Sequence, residues 1–113
     1  MRPIPKSLLP HTITLYKRNE EDRWGKVTLD KGKEIRFVRL EPSTQVTRDK
    51  NNVEIQLAAI LFYDCKNSRP DDIVFSAEDI IVFNGIKHQI KVVEPLYAKK
   101  RLHHYELGLI RYV

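Results

Sequence analysis

Residues 79–93, DIIVFNGIKHQIKVV, constrain the fold of this chain more than any other stretch. Two runs rich in β-branched and aromatic residues are separated only by Asn84 and Gly85, which both tolerate the positive φ angles of a two-residue type I′ turn. In the second run, apolar and polar residues alternate as in a half-buried strand, and His88 falls on the apolar face. The sequence therefore predicts a β-hairpin here, with His88 directed toward the core.

Short β-like segments recur along the rest of the chain. Alternation or a high density of β-forming residues predicts strands at 11–16, 34–41 and 53–65, and a closing strand within 102–113. The length of 53–65 also allows a helix, but its isoleucine and aromatic residues favour a strand. Six to seven short strands without a long helix predict an all-β fold, either a small antiparallel β-barrel or a sandwich.

The whole chain, 1–113, is expected to form a single domain, because 113 residues leave no room for a second core. Three prolines within 1–10 remove backbone donors and fix φ, so this segment is predicted to be an extended N-terminal arm and not a helix. Such an arm is a candidate for docking on a neighbouring subunit or protein. The candidate contact residues in it are Pro3, Ile4, Pro5, Leu8 and Leu9.

Nothing in the sequence predicts insertion into a membrane. The longest apolar run, LAAILFY at 57–63, is far shorter than the roughly 20 residues that span a bilayer. Prolines interrupt the N-terminus, so it does not read as a signal peptide. Cys65 has no second cysteine to pair with, and we expect it to be a buried thiol in a protein that folds in a reducing, intracellular compartment.

Connections between the strands are polar. Residues 43–52, STQVTRDKNN, are the most loop-like internal stretch, since Ser, Asp and Asn prefer turns. Ser76 and Asp79 have the spacing of a capped single helical turn. Trp24 lies beside Gly25 in another connection, and we expect it to cover an end of the barrel and not to serve as a binding platform.

The pair His103-His104, followed by Glu106, raises the question of a metal site. In a strand, His104 and Glu106 share one face while His103 points the other way, which leaves two local ligands. A zinc site needs three or four ligands, so His11 or His88 would have to be added by folding, and CxxC and HExxH spacings are absent. We therefore expect no metal and no cofactor, and interpret these histidines as core or cross-strand polar residues.

Sequence motifs of enzymes are likewise missing. There is no GxSxG, P-loop or GxGxxG pattern, and the four glycines are scattered singly. Asp71 and Asp72 follow Pro70 in a predicted turn, where solvation explains them. The sequence indicates a protein that is not an enzyme, and a small metal-dependent enzyme is the weakest of three interpretations.

A net charge of +5 permits contact with anions, although no block of five like charges occurs. The second interpretation is a small nucleic-acid-binding β-barrel, in which basic and aromatic residues of one groove act together. Arg36, Phe37 and Arg39 on one strand, with the basic turn 99–101, are the residues that such binding would use.

Several stretches together resemble the minor capsid proteins of phages and prophages of Gram-positive bacteria. These are IPKSLLPHT near the start, RDKNN with EIQLAAILFYDCKNS in the middle, DIIVFNG and VEPLY later, and LHHYELGL at the end. The resemblance runs from about residue 4 to residue 109. LHHYELGL and FYDCKNS are its most specific parts, while DIIVFNG is shared more loosely by other head-tail joining proteins.

This resemblance implies a structural protein of the virion neck, made in the bacterial host cytoplasm. It implies a small β-barrel that forms an oligomeric ring in the virion, although the isolated chain can be a monomer. The partners implied are the portal-adaptor stack on one side and tail proteins on the other. A head-closure or stopper protein of this kind retains the packaged DNA through non-specific contacts with phosphates, which are electrostatic.

Loop length and charge then suggest where such contacts lie. The loop 43–52 is the candidate segment facing the DNA channel, with Arg48 and Lys50 nearest the DNA. The N-terminal arm and the basic turn formed by Lys99, Lys100 and Arg101 are candidates for contacts with neighbouring subunits or proteins.

Overall fold

Eight strands carry the fold in the computed structural model, which describes residues 2–19 and 21–112. In chain order they are β1 His11–Tyr16, β2 Lys33–Pro42, β3 Val46–Arg48, β4 Glu54–Gln56, β5 Ala59–Asp64, β6 Ile80–Phe83, β7 Ile86–Ala98 and β8 Arg101–Arg111. Residues 1, 20 and 113 belong to the predicted arm, the connection after the first strand and the closing strand, and they lie outside the described residues.

Six of the strands close into an antiparallel barrel in the order β1-β2-β5-β8-β7-β6, with β6 pairing back onto β1. The remaining two, β3 and β4, form a separate two-stranded sheet. The predicted all-β class is confirmed, and of the two architectures left open it is the barrel. Within the described residues, no helix is long and apolar enough to cross a membrane.

Alternating side chains of the barrel strands fill its interior. Ile13 and Leu15 of β1 are buried while the residues between and beside them are more exposed, which is the period of two expected of a strand with one face in the core. At one end, the Phe75 ring contacts the rings of Tyr63 and Tyr105, with centroids 5.2 and 6.0 Å apart. Burial is the main reason that the pKa of Tyr63 rises to about 12.

The predicted hairpin is present and joins β6 to β7. Asn84 and Gly85 have φ angles of 49° and 76°, the left-handed conformation that a type I′ turn requires at both positions. His88 is 6% exposed, as predicted from its place on the apolar face. Local sequence alone therefore determined this element correctly.

Residues 43–52 are a loop that contains one short strand, which the prediction did not include. Val46–Arg48 form β3, which pairs with β4 through partners that include Thr47 and Ile55. Asp49 shapes the turn, because its Oδ1 accepts hydrogen bonds from the amides of Asn51 and Val53. Each strand has only three residues, too few to show a period of two. The turn-forming residues around them therefore led to the prediction of a loop.

The N-terminal arm differs from the prediction in one detail. Residues Lys6–Leu8 form one turn of 3-10 helix, in which the carbonyl of Pro5 accepts a hydrogen bond from the amide of Leu8. A proline can precede a helical turn because the amide it lacks has no partner there. Leu9, offered as a neighbour contact, is 1% exposed and belongs to the core of its own chain.

The predictions for Trp24 and for the segment Ser76–Asp79 are also corrected. Trp24 is 77% exposed and stacks with Arg23 in a tight turn, so it covers no end of the barrel. The segment from Ser76 to Asp79 is a turn and not a helix, with the Asp79 carboxylate accepting a hydrogen bond from the Ser76 amide. The same carboxylate accepts from Lys17 and from the amide of Arg18, and so joins the end of β1 to the start of β6.

Candidate functional site: the cavity at the arm end of the barrel

A cavity of about 830 Å³ lies where the arm, the turn after β5 and the tip of the β7–β8 hairpin meet. We call it the arm cavity. It is lined by Pro3, Asp64, Cys65, Lys66, Ala98, Lys99, Lys100, Arg101, Leu102 and His103. The structure thus brings together residues from the two predicted contact segments, which are about 95 positions apart in the sequence.

Asp64 at the end of β5 holds the arm in place. Its side chain is fully buried, and Oδ1 accepts a hydrogen bond of 3.0 Å from the amide of Ile4. Oδ2 accepts from the amides of Lys66 and Asn67, which closes the turn after the strand. The carboxamide of Asn67 donates to the carbonyl of Ile4, so the arm is bound on both its backbone groups there.

His103 and His104 form a second tie to the arm. Nε2 of His103 lies 2.6 Å from the carbonyl oxygen of Arg2, and the Nδ1 atoms of the two rings are 2.7 Å apart. Nε2 of His104 lies 2.9 Å from a carboxylate oxygen of Glu106. His104 and Glu106 therefore share a face of the strand, as predicted. His103 and His104 were predicted to lie on opposite faces, but their rings are in contact.

The reason for this contact is an irregularity in the β7–β8 pairing. Leu96 is opposite His104 and Tyr97 is opposite Leu102, so His103 is an extra residue without a partner, and the strict alternation of side chains is interrupted there. A carbonyl and a carboxylate oxygen only accept, so each ring donates through its Nε2 atom in these two contacts.

The lining of the cavity also contains the thiol of Cys65. The thiol is only partly buried, in contrast to the expected core position. Burial, followed by the negative charge of Asp64, raises the pKa of Cys65, which keeps the group a thiol at neutral pH. In the described residues, no three His, Cys, Asp or Glu side chains are grouped so that they could hold a metal ion.

Residues proposed for the DNA channel lie elsewhere, at the tip of the β3–β4 sheet. Arg48 donates to the carbonyl of Asn52 and lies 3.9 Å from Glu54, while Lys50 is exposed. A smaller cavity of about 380 Å³ separates this tip from the barrel. It is lined by residues 48–50, 75–77 and 91–93. Arg48 and Lys50 are thus brought together with each other but not with the arm cavity.

The strand residues considered for nucleic-acid binding are engaged within the chain. Arg39 forms an ion pair of 2.6 Å with Glu41, and the Phe37 ring is covered by the ammonium group of Lys6 at 4.6 Å. Arg36 lies 3.9 Å from Glu34. A base would have to displace Lys6 to stack on Phe37, so these three residues do not form an open stacking platform.

Sequence reasoning missed the anchoring roles of Asp64 and Asn67. A signal was available, because Asp64 comes at the end of an apolar run and precedes Asn67 and Ser68, a composition typical of a turn closed by an aspartate side chain. The partner of that turn, the amide of Ile4, is 60 residues away. No local pattern identifies such a partner.

The barrel, the anchored arm and the basic hairpin tip define a small β-barrel protein. Its buried polar groups hold the arm and the loops in place and thereby shape its surface. The family model for minor capsid proteins matches residues 5–109. The chain therefore belongs to the minor capsid protein family and is a structural component of a phage particle, as its resemblance implied. No curated protein and no solved structure matches the chain.

Proposed function

We propose that the protein is a non-enzymatic component of the head-tail connector, a head-closure or stopper-type subunit that forms a ring in the virion neck. The observation that carries this proposal is the family match over 5–109, combined with a closed six-stranded barrel. Its partners are further copies of itself, the portal-adaptor stack and tail proteins.

The architecture supports a protein that works by fit between surfaces. The six barrel strands have neighbours on both sides in a closed order, which leaves little free edge for strand addition. Contacts with other subunits then fall to the elements outside the barrel. Among these elements, we assign the contacts to the arm, the β3–β4 sheet and the tip of the β7–β8 hairpin.

The β3–β4 sheet is the element we assign to the DNA channel. It stands apart from the barrel sheet, and its tip carries Arg48 and Lys50 in exposed positions. Repeated around a ring, two cations per subunit give a positively charged collar. Such a collar contacts phosphates without reading the sequence, and salt weakens these contacts.

A nonsense mutation in the gene tests the role, with the protein supplied from a plasmid as the control. We expect mutant lysates to contain heads that have lost DNA or lack tails, and the plasmid to restore complete particles. DNA-filled heads with normally joined tails in the mutant would rule out a head-closure function. Electron microscopy and the yield of nuclease-protected DNA provide the two readouts.

A further inference from the structure

The arm cavity carries positive charge that no group among residues 2–19 and 21–112 neutralises. Among the described residues, none of its four cationic side chains makes a hydrogen bond or an ion pair; these are Lys66, Lys99, Lys100 and Arg101. The single carboxylate in the lining, Asp64, is fully buried and already accepts three backbone hydrogen bonds. The cavity therefore attracts an anionic group from outside the chain.

The wall of the cavity is apolar beneath this basic rim. Pro3, Ala98 and Leu102 contribute hydrocarbon surface, and Tyr97 next to them is 62% exposed. A phosphate backbone matches the cations but offers nothing to the apolar wall. An acidic polypeptide segment with apolar side chains matches both, because carboxylates reach the rim while an apolar side chain fills the cavity.

The cavity is also formed before any partner arrives. Its arm side is fixed by the hydrogen bond from Ile4 to Asp64 and by the contact of His103 with Arg2. Its other side is the paired end of β7 and β8, where Ala98 is opposite Arg101. A preformed cavity loses little conformational entropy on binding, which favours a stable contact.

We propose that the arm cavity binds an acidic polypeptide segment bearing at least one apolar side chain, supplied by another protein of the phage particle. The identity of that partner as a virion protein rests on the proposed function. The binding itself depends only on the cavity, so it is tested with the isolated full-length protein.

The probe is a fluorescein-labelled twelve-residue peptide of sequence DEFDELDEFDEL, titrated at low ionic strength and followed by anisotropy. A second peptide replaces each Phe and Leu by Ser, and a 20-base-pair DNA duplex is the third probe. We expect the first peptide to bind at least about tenfold more tightly than the second. Equal affinity of the two peptides, or tighter binding of the duplex, would overturn the proposal.

Variants locate the binding on the protein. The triple variant Lys99→Gln, Lys100→Gln, Arg101→Gln should weaken peptide binding by about tenfold or more, since charge-assisted contacts are lost. Its control, Lys26→Gln, Lys31→Gln, Lys87→Gln, removes the same charge from exposed positions elsewhere and should change affinity less than about twofold. Equal losses in the two variants would show that net charge alone governs binding.

Amide chemical shifts of the wild-type protein give a readout that needs no variant. Addition of the first peptide should shift the amides of 64–66 and 98–103 more than those of the β3–β4 sheet. Shifts confined to other regions, or no binding at all, would overturn the proposal. The phage experiment on head closure is separate, so a failure of either idea is recognised without the other.

Discussion

The amide of Ile4 donates a hydrogen bond to Oδ1 of Asp64 at 3.0 Å, across 60 positions of sequence. This contact makes the N-terminal arm a part of the barrel end. The arm residues Pro3 and Ile4 are therefore presented in a fixed position, next to the basic tip of the β7–β8 hairpin. A neighbouring protein that binds at this end of the barrel therefore contacts a preformed surface and not a free N-terminal tail.

Replacing Asp64 by Ala tests the anchor. The substitution leaves the amides of Ile4, Lys66 and Asn67 without their acceptor in partly buried hydrogen bonds, so we expect a loss of about 2–4 kcal/mol in the free energy of unfolding. Urea denaturation measures it. The control Asp30→Ala, at an exposed position, should change stability by less than about 0.5 kcal/mol. Equal effects of the two substitutions would contradict the anchoring role.

His88 should make the barrel sensitive to acid. Burial, followed by the charge of Arg111, lowers the pKa of His88, and its Nδ1 has no hydrogen-bond partner among the described residues. Below pH about 6.5, the unfolded chain therefore binds a proton that the folded chain does not, so stability falls with decreasing pH until the lowered pKa is reached.

A pH series with a variant isolates this effect. We expect wild type to lose more unfolding free energy than His88→Leu between pH 7.5 and 5.5, by at most about 1.4 kcal/mol for each pH unit. Denaturation at both pH values provides the measurement. A parallel loss in both proteins would assign the acid sensitivity to other groups.

The contact between Leu57 and Gly108 joins the segment after β4 to the barrel. A Cβ on Gly108 would lie 3.0 Å from Cδ2 of Leu57 and 3.3 Å from Cβ of Val92. We expect Gly108→Ala to destabilise the protein by about 1–3 kcal/mol through overpacking. In a Leu57→Ala background the same change should be milder, and a double-mutant cycle measures the coupling. Additive effects would show that Leu57 does not set the limit at this position.

Arg48 and Lys50 provide the test of the assigned DNA channel element. The double variant Arg48→Ala, Lys50→Ala should release packaged DNA more readily, because each ring subunit loses two cations. Nuclease-accessible DNA in purified particles measures the release. The matched control Lys26→Ala, Lys87→Ala removes two exposed cations, one in the connection before β2 and one at the start of β7, and should retain DNA. Normal retention in the first variant would exclude an important channel role for these side chains.

The sequence predicted those elements of the fold that depend only on neighbouring residues, such as turns and single strands. Asn84 and Gly85 carry their turn in their own backbone preferences, and the period of two in 11–16 marked a barrel strand. The strands of the β3–β4 sheet were too short for such a period. Closure of the barrel and the acceptors at Asp64 depend on partners far away in sequence, which local patterns do not contain.

The candidate site could likewise be predicted only in its separate segments and not as one cavity. Charge and proline content indicated the arm and the tip 99–101 as separate contact segments, and the fold places Pro3 and those cations around one cavity. That juxtaposition results from the long β7–β8 pairing and the anchored arm. The closing stretch with His103 and His104, which first suggested a metal, instead ties the arm to β8.

Cryo-electron microscopy of the phage neck tests the central claim most directly. We expect a ring between head and tail into whose subunits the six-stranded barrel fits, with the β3–β4 sheet directed toward the DNA. Density for this barrel on the capsid shell, or a neck that contains none, would contradict a head-closure role.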